Sequence, residues 1–316
     1  MEKKSSVLRE LIESDKILFR PNVAIALQAK MAEAAGFEAL GISGSHTAAH
    51  ILALPDAGLI TMTEMVENIQ RICNAVNIPV MADCDTGFGN AVNVRRTVQA
   101  VIQAGAAGLF IEDQVTPKRC GYVAGKELIS IEEAIGKFRA AVDTRDELDK
   151  DFIIMARTDA RTAVGGGLEE AIRRAKAYRE KAKVDVIYME ALQSREELKK
   201  ARAAIDGPLA CGVQAIQPHP TLQELQELGM CMTLGIMFFK VGYVAWWDML
   251  LDMKQRGLDP WIEWWNNTED HPMAGFRIFD LVGFPQIQHW EEKYLSKEHL
   301  DKYDKSIGIY DPRLGR

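Results

Sequence analysis

The feature that most constrains the fold is a regular alternation of short apolar runs with amphipathic helical segments, from about residue 17 to residue 240. Segments such as MTEMVENIQRICNAV and LEEAIRRAKAYREKA separate the runs. Eight runs have the length of strands: 17–25, 37–43, 78–84, 107–113, 152–158, 184–190, 208–213 and 231–236. Eight strands alternating with helices predict an α/β protein with a (β/α)8 barrel, the TIM barrel. No GxGxxG motif follows an early strand, which argues against a dinucleotide-binding fold.

The last part of the chain has a different pattern, which is helical and too apolar for a simple tail. It contains every tryptophan of the sequence: Trp246, Trp247, Trp261, Trp264, Trp265 and Trp290. We therefore predict a catalytic barrel domain over residues 1–240 and a C-terminal helical extension over residues 241–316. Such an extension would serve as a cap or as an arm that contacts another subunit.

Composition excludes several classes of function. The net charge of −7 argues against a nucleic-acid surface. The sequence contains no run of 18 apolar residues, so we predict no membrane span. The five cysteines are odd in number and lack CxxC spacing, so neither a disulfide framework nor a structural zinc site is expected. The N-terminus lacks the apolar segment of a signal peptide. We expect a cytoplasmic protein that acts on a small molecule.

Acidic residues follow several of the predicted strands, where the active sites of such barrels lie. Asp83 and Asp85 end the third strand, two residues apart and so on one side of it. Glu112 and Glu190 end the fourth and sixth strands, and four acids around one opening repel each other unless a cation is present. Carboxylates without a His or Cys cluster favour Mg²⁺ or Mn²⁺. The alternative interpretation is a turn in which an aspartate caps a helix.

Two further motifs could bind a carboxylate. Ser43, Gly44 and Ser45 offer hydroxyl and backbone N–H groups at a turn between a strand and a helix. Arg157, at the end of the fifth strand, is suited to a bidentate carboxylate contact. An ordinary Ser/Gly turn and an internal salt bridge are the alternatives.

A loop with the sequence KRCGYVAGKE follows the fourth strand and places Cys120 between cations and glycine. A structural cysteine prefers apolar neighbours, whereas Lys118 and Arg119 would stabilise a thiolate. The loop therefore predicts a cysteine that takes part in chemistry.

Taken together, these motifs resemble the isocitrate lyase and phosphoenolpyruvate mutase superfamily. The resemblance covers roughly residues 20–290 and rests on six motifs in matching order: SGS…LPD, DCDTGFG, IED, PKRCG…GK, ARTDA and YMEA. It implies a Mg²⁺-dependent barrel that acts on 2-oxo acids through an enolate. It also implies a homotetramer in which C-terminal helices are exchanged between subunits.

The resemblance also assigns roles to individual residues. The metal would be held by Asp85, with Asp83, Glu112 and Asp56 around it. A pyruvate-like carboxylate would be bound by Ser43, Gly44, Ser45, Gly121 and Arg157. Cys120, on a mobile lid, would deliver a proton to the enolate carbon, while Lys118 assists closure and Glu190 braces the site.

The sequence departs from the family pattern at three places. Tyr122 stands where the lyases carry the histidine of CGH, and Gly41 stands where methylisocitrate lyases carry a tyrosine. The segment 211–214 replaces an Asn-x-Thr-Glu segment that contacts the far carboxylate of the substrate. These changes predict a distal pocket with fewer polar groups and a less charged substrate. We expect Tyr122 to supply the hydroxyl missing at Gly41, as the base for the substrate's 2-hydroxyl proton.

The sequence thus predicts a Mg²⁺-dependent carbon–carbon lyase. It would cleave a substituted malate or methylisocitrate-like acid by a retro-aldol reaction to pyruvate, or a related 2-oxo acid, and a carboxylic acid. Oxaloacetate decarboxylase or hydrolase activity is the first alternative. Phosphonopyruvate hydrolase or phosphonomutase activity is less favoured, because the mutases generally lack the lid cysteine. A binding protein that has lost catalysis is the remaining alternative.

Overall fold

The computed structural model describes residues 2–313. Its eight strands are parallel and hydrogen-bonded to their neighbours in sequence order. They are β1 (Asn22–Val23), β2 (Leu40–Ile42), β3 (Val80–Asp83), β4 (Gly108–Glu112), β5 (Ile153–Thr158), β6 (Val186–Met189), β7 (Leu209–Gly212) and β8 (Met232–Leu234). Leu18 forms a parallel bridge with Met232, which brings the two ends of the sheet together. The predicted (β/α)8 barrel is confirmed.

The first strand is shorter than the predicted run 17–25. Only Asn22 and Val23 form a ladder with β2. Pro21 has no backbone N–H to donate to β2, although its carbonyl oxygen accepts a hydrogen bond from the Gly41 N–H.

Helices surround the sheet and connect the strands. In the first 238 residues they are α1 (Lys4–Glu13), α2 (Ala26–Ala34), α3 (Gly44–Leu52), α4 (Met62–Ala75), α5 (Ala91–Gln103), α6 (Ile131–Leu148), α7 (Leu168–Ala177), α8 (Arg195–Ala204) and α9 (Leu222–Glu227). A π-helical turn, Tyr178–Ala182, continues α7. Thr61 caps α4 in a reciprocal capping box with Glu64, which fixes where that helix begins.

The barrel interior is apolar except near the carboxyl ends of the strands. Leu8 and Ile12 of α1 pack in one cluster with inward residues such as Met81, Met155 and Met232. A second, larger cluster fills the layer between the strands and the surrounding helices. Polar side chains on the inward face are therefore exceptions that need a separate explanation.

The chain divides into two compact units, residues 1–238 and 239–316. The helices of the second unit are α10 (Lys240–Arg256), α11 (Asp259–Asn267), α12 (Ile278–Val282), α13 (Phe284–Tyr294) and α14 (Lys297–Leu300). No residue of α10 is buried, and Trp246 and Trp247 on it are 58% and 63% exposed. Across residues 2–313, no helix is both long and apolar enough to cross a membrane.

Candidate active site

Asp83, the last residue of β3, organises the two turns on either side of it. Its Oδ2 accepts a hydrogen bond from the Gly44 N–H (2.9 Å), and its Oδ1 accepts one from the Asp85 N–H (3.1 Å). A Cβ at Gly44 would lie 2.6 Å from Asp83 Oδ2, so only glycine allows this approach. The N–H of Gly44, predicted to bind a substrate carboxylate, thus has an internal acceptor here.

Asp85 and Glu112 are buried acids whose carboxylate oxygens are not fully satisfied by hydrogen bonds. Asp85 has a left-handed backbone (φ 46°), and its carbonyl oxygen accepts a hydrogen bond from the Glu112 N–H (2.8 Å). In the described structure, Asp85 Oδ1 and both carboxylate oxygens of Glu112 accept no hydrogen bond. Burial raises the pKa of Asp85 to about 6 and the pKa of Glu112 well above its usual range.

Lys118 places its ammonium group among these acids. Its Nζ lies 2.5 Å from Asp56 Oδ1 and 3.0 Å from Asp85 Oδ1, and its side chain is 3% exposed. Burial opposes the charged form of Lys118, but the carboxylates of Glu112, Asp85 and their neighbours outweigh it and raise its pKa. Lys118, in the loop that follows β4, therefore balances part of the negative charge at the ends of β3 and β4.

The donor set fits a divalent cation. Within residues 2–313, no three His, Cys, Asp or Glu side chains are already grouped as metal ligands. Nevertheless, three buried carboxylate oxygens of Asp85 and Glu112 lack a well-directed hydrogen bond. Asp85 Oδ1 and Glu112 Oε2 already lie beside the cations Lys118 and Arg157, so a further cation would chiefly satisfy Glu112 Oε1. Carboxylate oxygens are the ligands that Mg²⁺ prefers.

Arg157 is enclosed by carboxylates. Its Nε and Nη2 donate a bidentate pair of hydrogen bonds to Asp159 (2.9 Å each). Nη1 lies 3.2 Å from Glu112 Oε2, and Nη2 lies 3.1 Å from Glu190 Oε2. Burial opposes the charge on Arg157, but these acids outweigh it and raise the pKa. The bidentate edge expected to face substrate is used by Asp159, two residues further along the chain.

A buried network behind the site fixes Asp159. The Asp159 N–H donates to Asp113 Oδ1 (3.0 Å), while Asp113 Oδ2 accepts hydrogen bonds from Thr158 Oγ1 and Tyr178 Oη (2.7 Å each). Arg174 Nη1 lies 3.2 Å from the same oxygen. The sequence analysis did not assign these residues to the site. The adjacent acids Glu112 and Asp113 were the only available signal.

The loop that carries Cys120 is tied to the carboxyl ends of the strands. Lys126 is buried, and its Nζ donates to the carbonyl oxygens of Gly121 (2.7 Å) and Val123 (2.9 Å). A Cβ at Gly121 would lie 2.6 Å from Arg157 Nη2, so this glycine lets the loop approach the site closely. Lys126 was missed by the sequence analysis, although it belongs to the quoted loop.

The prediction that neighbouring cations favour the Cys120 thiolate is wrong. Burial raises the pKa of Cys120 and outweighs the charges of Arg157 and Lys118. Lys118 is itself engaged with two aspartates. The thiol is therefore held in its protonated form.

Two tyrosines flank Glu190. The hydroxyl of Tyr188 donates to Glu190 Oε1 (2.7 Å), which also accepts from the Ala191 N–H (3.0 Å). Burial and the Glu190 charge raise the pKa of both Tyr188 and Tyr122, so both phenols are protonated at neutral pH. The atoms nearest to the position of a Cβ at Gly41 belong to Arg20 and Asn22.

The hydroxyls of the SGS turn lie close together. Ser43 Oγ and Ser45 Oγ are 3.2 Å apart, and each lies 3.0 Å from His46 Nδ1. At the end of β7, Gln214 Nε2 donates to the Gly235 carbonyl oxygen (2.6 Å), and the Cys211 thiol contacts the Gly212 carbonyl oxygen. The polar groups of this segment are thus used internally.

The model of one protein family, phosphoenolpyruvate phosphomutase, matches residues 8–243. The chain is 44% identical over 229 residues to 2,3-dimethylmalate lyase of Eubacterium barkeri, covering 72% of this chain and 78% of that protein. It is 38% identical over 287 residues to 2-methylisocitrate lyase of Aeropyrum pernix, covering 90% and 89%.

Solved structures give the same result. Oxaloacetate acetylhydrolase with 3,3-difluorooxalacetate aligns with a TM-score of 0.84 at 30% identity, covering 94% of this chain and 99% of that one. Phosphonopyruvate hydrolase with oxalate and Mg²⁺ aligns with a TM-score of 0.81 at 30% identity, covering 93% and 100%. The predicted resemblance and the predicted enzyme class are confirmed: the chain belongs to the isocitrate lyase and phosphoenolpyruvate mutase superfamily, and it is a lyase.

Proposed function

We propose that this enzyme cleaves a 2-hydroxy acid of the substituted malate type into pyruvate, or a related 2-oxo acid, and a second carboxylic acid. The observation that carries the proposal is the arrangement around Glu190. Glu190 accepts a hydrogen bond from Tyr188 and lies next to Arg157, and its charge acts on the phenol of Tyr122. The loop that approaches it at Gly121 holds the protonated thiol of Cys120. Carbon–carbon cleavage by a retro-aldol reaction needs one base and one acid, and both are present.

The substrate carboxylate and the cation would lie at the ends of β2 to β5. Asp85 and Glu112 would hold Mg²⁺, with Asp83 and Asp56 orienting the first of them through the Asp85 N–H and Lys118. Magnesium would supply positive charge for the oxygen that becomes the enolate. Arg157 Nη1 adds a fixed charge next to Glu112, and the hydroxyls of the SGS turn would bind the carboxylate.

The base function falls to Glu190, with Tyr122 as the group through which the proton passes. A phenol with a raised pKa does not take up a proton on its own at neutral pH. It would accept the proton of the substrate's 2-hydroxyl while its own proton moves to Glu190, the carboxylate whose charge acts on this phenol. The hydroxyl oxygen becomes the carbonyl oxygen of the 2-oxo acid, and the bond between C2 and C3 breaks.

Cys120 completes the reaction. The electron pair of the broken bond passes to the carbon that leaves with the second carboxylate, forming an enolate. The Cys120 thiol donates its proton to that carbon. Before the next turnover Glu190 releases the proton it received to solvent, and the Cys120 thiolate takes one up from solvent. The raised pKa of Cys120 suits this role because the thiol is protonated when substrate arrives.

The end of β7 supports a substrate with a small, weakly polar distal half. Gln214 is engaged with the Gly235 carbonyl oxygen, and a Cβ at Gly212 would lie 2.6 Å from the Tyr188 hydroxyl. A third substrate carboxylate would lack partners there. The named relative 2,3-dimethylmalate lyase supports a methyl-substituted malate as the substrate.

We also propose a homotetramer in which the C-terminal helices are exchanged between subunits. The exposed tryptophans of α10 and α11 support it, since apolar surface on this scale is usually covered. Light scattering on the purified protein tests it; a monomer at micromolar concentration would contradict it.

A substrate panel with Mg²⁺ tests the function, with pyruvate measured by coupled lactate dehydrogenase. We expect turnover of methyl-substituted malates and little of methylisocitrate. Oxaloacetate is included because oxaloacetate acetylhydrolase is among the similar structures. Turnover of oxaloacetate or phosphonopyruvate alone would contradict the lyase proposal. Cys120→Ser should lower the turnover rate by about 10²- to 10⁴-fold while Mg²⁺ still binds. Cys231→Ser is the control.

A further inference from the structure

One buried cation has no role in the proposed reaction. Arg20 is fully buried, and across residues 2–313 none of its Nε, Nη1 and Nη2 atoms has a hydrogen-bond partner. Its electrostatic partners that favour the charge are Cys231 and Tyr188, neither of which is a carboxylate. Burial lowers the pKa of Arg20 to about 10, so the side chain stays charged at neutral pH. An unpaired buried charge lowers the stability of the folded protein, so its presence needs an explanation.

The position of the guanidinium explains why residue 41 is glycine. A Cβ at Gly41 would lie 1.6 Å from Arg20 Nη1, so no other residue fits while Arg20 holds this rotamer. Asn22 Oδ1 lies 3.1 Å from the same point and is also buried without a partner. A donor group and an acceptor, both unsatisfied, thus meet beside Gly41 on the inward side of β2.

This place adjoins the SGS turn. Ser43 directly follows β2 with an extended backbone (φ −98°, ψ 112°), so it faces the same side as Gly41, two residues earlier and about 6.6 Å away. Gly41 pairs in register with Asn22 of β1. The guanidinium therefore lies beside Gly41, on the side of the strand that Ser43 faces.

We propose that Arg20 is a further substrate-binding residue, which supplies the positive charge for the substrate carboxylate held at Ser43 and Ser45. The inference rests on the proposed function, since it assigns a second cation to the same carboxylate. Arg157 already gives its bidentate edge to Asp159, whereas the planar donor face of Arg20 has no internal acceptor. The guanidinium of Arg20 carries five N–H donors and a positive charge, and a carboxylate is the group that accepts bidentate, charge-assisted hydrogen bonds from it.

Binding of oxalate in the presence of saturating Mg²⁺ tests the proposal, because oxalate is bound with Mg²⁺ in a similar structure and needs no turnover. Isothermal titration calorimetry should show oxalate bound about 10- to 100-fold more weakly by Arg20→Met than by the wild type. The unfolding midpoint should be unchanged or higher, because an unpaired buried charge has been removed. Arg195→Met, which removes a partly exposed arginine paired with Glu224, is the control for the loss of one charge.

A second variant asks the same question from the other side. Asn22→Asp places a carboxylate beside Arg20, which should raise the unfolding midpoint and weaken oxalate binding at least tenfold. Should Arg20→Met fail to fold, Arg20→Gln is measured in its place with the same expectation. Wild-type affinity for oxalate in the neutral Arg20 variant overturns the proposal, and so does weakened binding that only accompanies a lower unfolding midpoint.

These outcomes are separate from those of the substrate panel. If the wild type cleaves no 2-hydroxy acid but binds oxalate in an Arg20-dependent manner, the proposed function fails and Arg20 remains a carboxylate-binding residue. If the wild type cleaves malates while the neutral Arg20 variant binds oxalate normally, the role of Arg20 fails and the proposed function stands.

Discussion

Arg157 and Arg20 are both buried in this barrel, and they differ in what surrounds them. Arg157 lies among Asp159, Glu112 and Glu190, and its pKa is raised. Arg20 has no carboxylate partner, and its pKa is lowered to about 10. Burial acts in the same direction on both, so the acids around Arg157 make the difference. The charge of Arg157 is used by acids of the chain itself, whereas the charge of Arg20 remains available for an anionic ligand.

The largest expected effect comes from removing Arg157. Arg157→Met leaves the three surrounding acids without their shared cation, and we expect a loss of about 3–5 kcal/mol in the free energy of unfolding. Urea denaturation measures it. Arg20→Met, which removes an equally buried arginine, should lose nothing or gain stability. Similar losses in the two variants would remove the distinction between the paired and the unpaired cation.

Magnesium is expected to stabilise the acid-rich side of the barrel. With Mg²⁺ at 100 times its dissociation constant, the wild type should gain about 2.7 kcal/mol of unfolding free energy, and a chelator should reverse the gain. Asp85→Asn should remove it, because a neutral amide replaces a charged ligand next to Lys118. Arg20→Met should keep the whole gain. A gain that persists in Asp85→Asn would place the cation elsewhere.

Adding one methyl group beside Arg20 should have a smaller effect. Gly41→Ala forces the guanidinium out of the position it holds, and we expect about 1–3 kcal/mol of destabilisation together with weaker oxalate binding. In an Arg20→Met background the same substitution should cost much less, because a flexible thioether replaces the planar group. A double-mutant cycle measures this coupling. Equal costs in both backgrounds would mean that the strain at position 41 does not come from Arg20.

Sequence alone predicted the acid-rich side better than the Arg20 side. Asp85, Glu112 and Arg157 lie at the ends of strands that the sequence pattern predicts. Active sites of (β/α)8 barrels lie at the carboxyl ends of the strands, so these residues were expected to lie together. Arg20 and Asn22 alternate with apolar residues, a pattern that in an open sheet indicates a solvated face. In a closed barrel that face points inward. The period of two gives the alternation of faces but not which face is inside, so Arg20 was not recognised.

Two other differences have the same origin. The charges flanking Cys120 were visible in the sequence, but its burial, which raises the thiol pKa, depends on how the loop folds over β5 and β6. The partners of Asp113 come from Thr158 and Tyr178, which are distant along the chain. Local patterns predict which residues can do chemistry, whereas tertiary packing decides their protonation.

The smallest expected effect tests whether the surroundings of Arg157 act as one network. Tyr178→Phe removes one hydrogen bond to Asp113, whose other oxygen holds the Asp159 N–H. We expect about 1 kcal/mol of destabilisation. The pKa of Asp113, already raised by burial, should rise further when a donor is lost. A carboxyl with a raised pKa binds its proton more tightly in the folded state, so the deficit of Tyr178→Phe should be largest at neutral pH and should shrink as the pH falls through the pKa of Asp113. Titrations of unfolding midpoint against pH measure both effects.

Tyr303→Phe, which removes a phenol hydroxyl that contacts Glu291 in the C-terminal unit, is the matched control and should leave oxalate affinity unchanged. In Tyr178→Phe, the loosened Asp159 should raise KM for the substrate severalfold while kcat changes little, because Tyr178 positions Arg157 through two other residues and touches no reacting atom. A large loss of kcat at unchanged KM would instead put Tyr178 on the proton path. If Tyr178→Phe keeps wild-type kinetics but loses stability, the network of Asp113 and Asp159 supports the fold and not substrate binding. The binding of the carboxylate would then depend on Arg20 more than on Arg157.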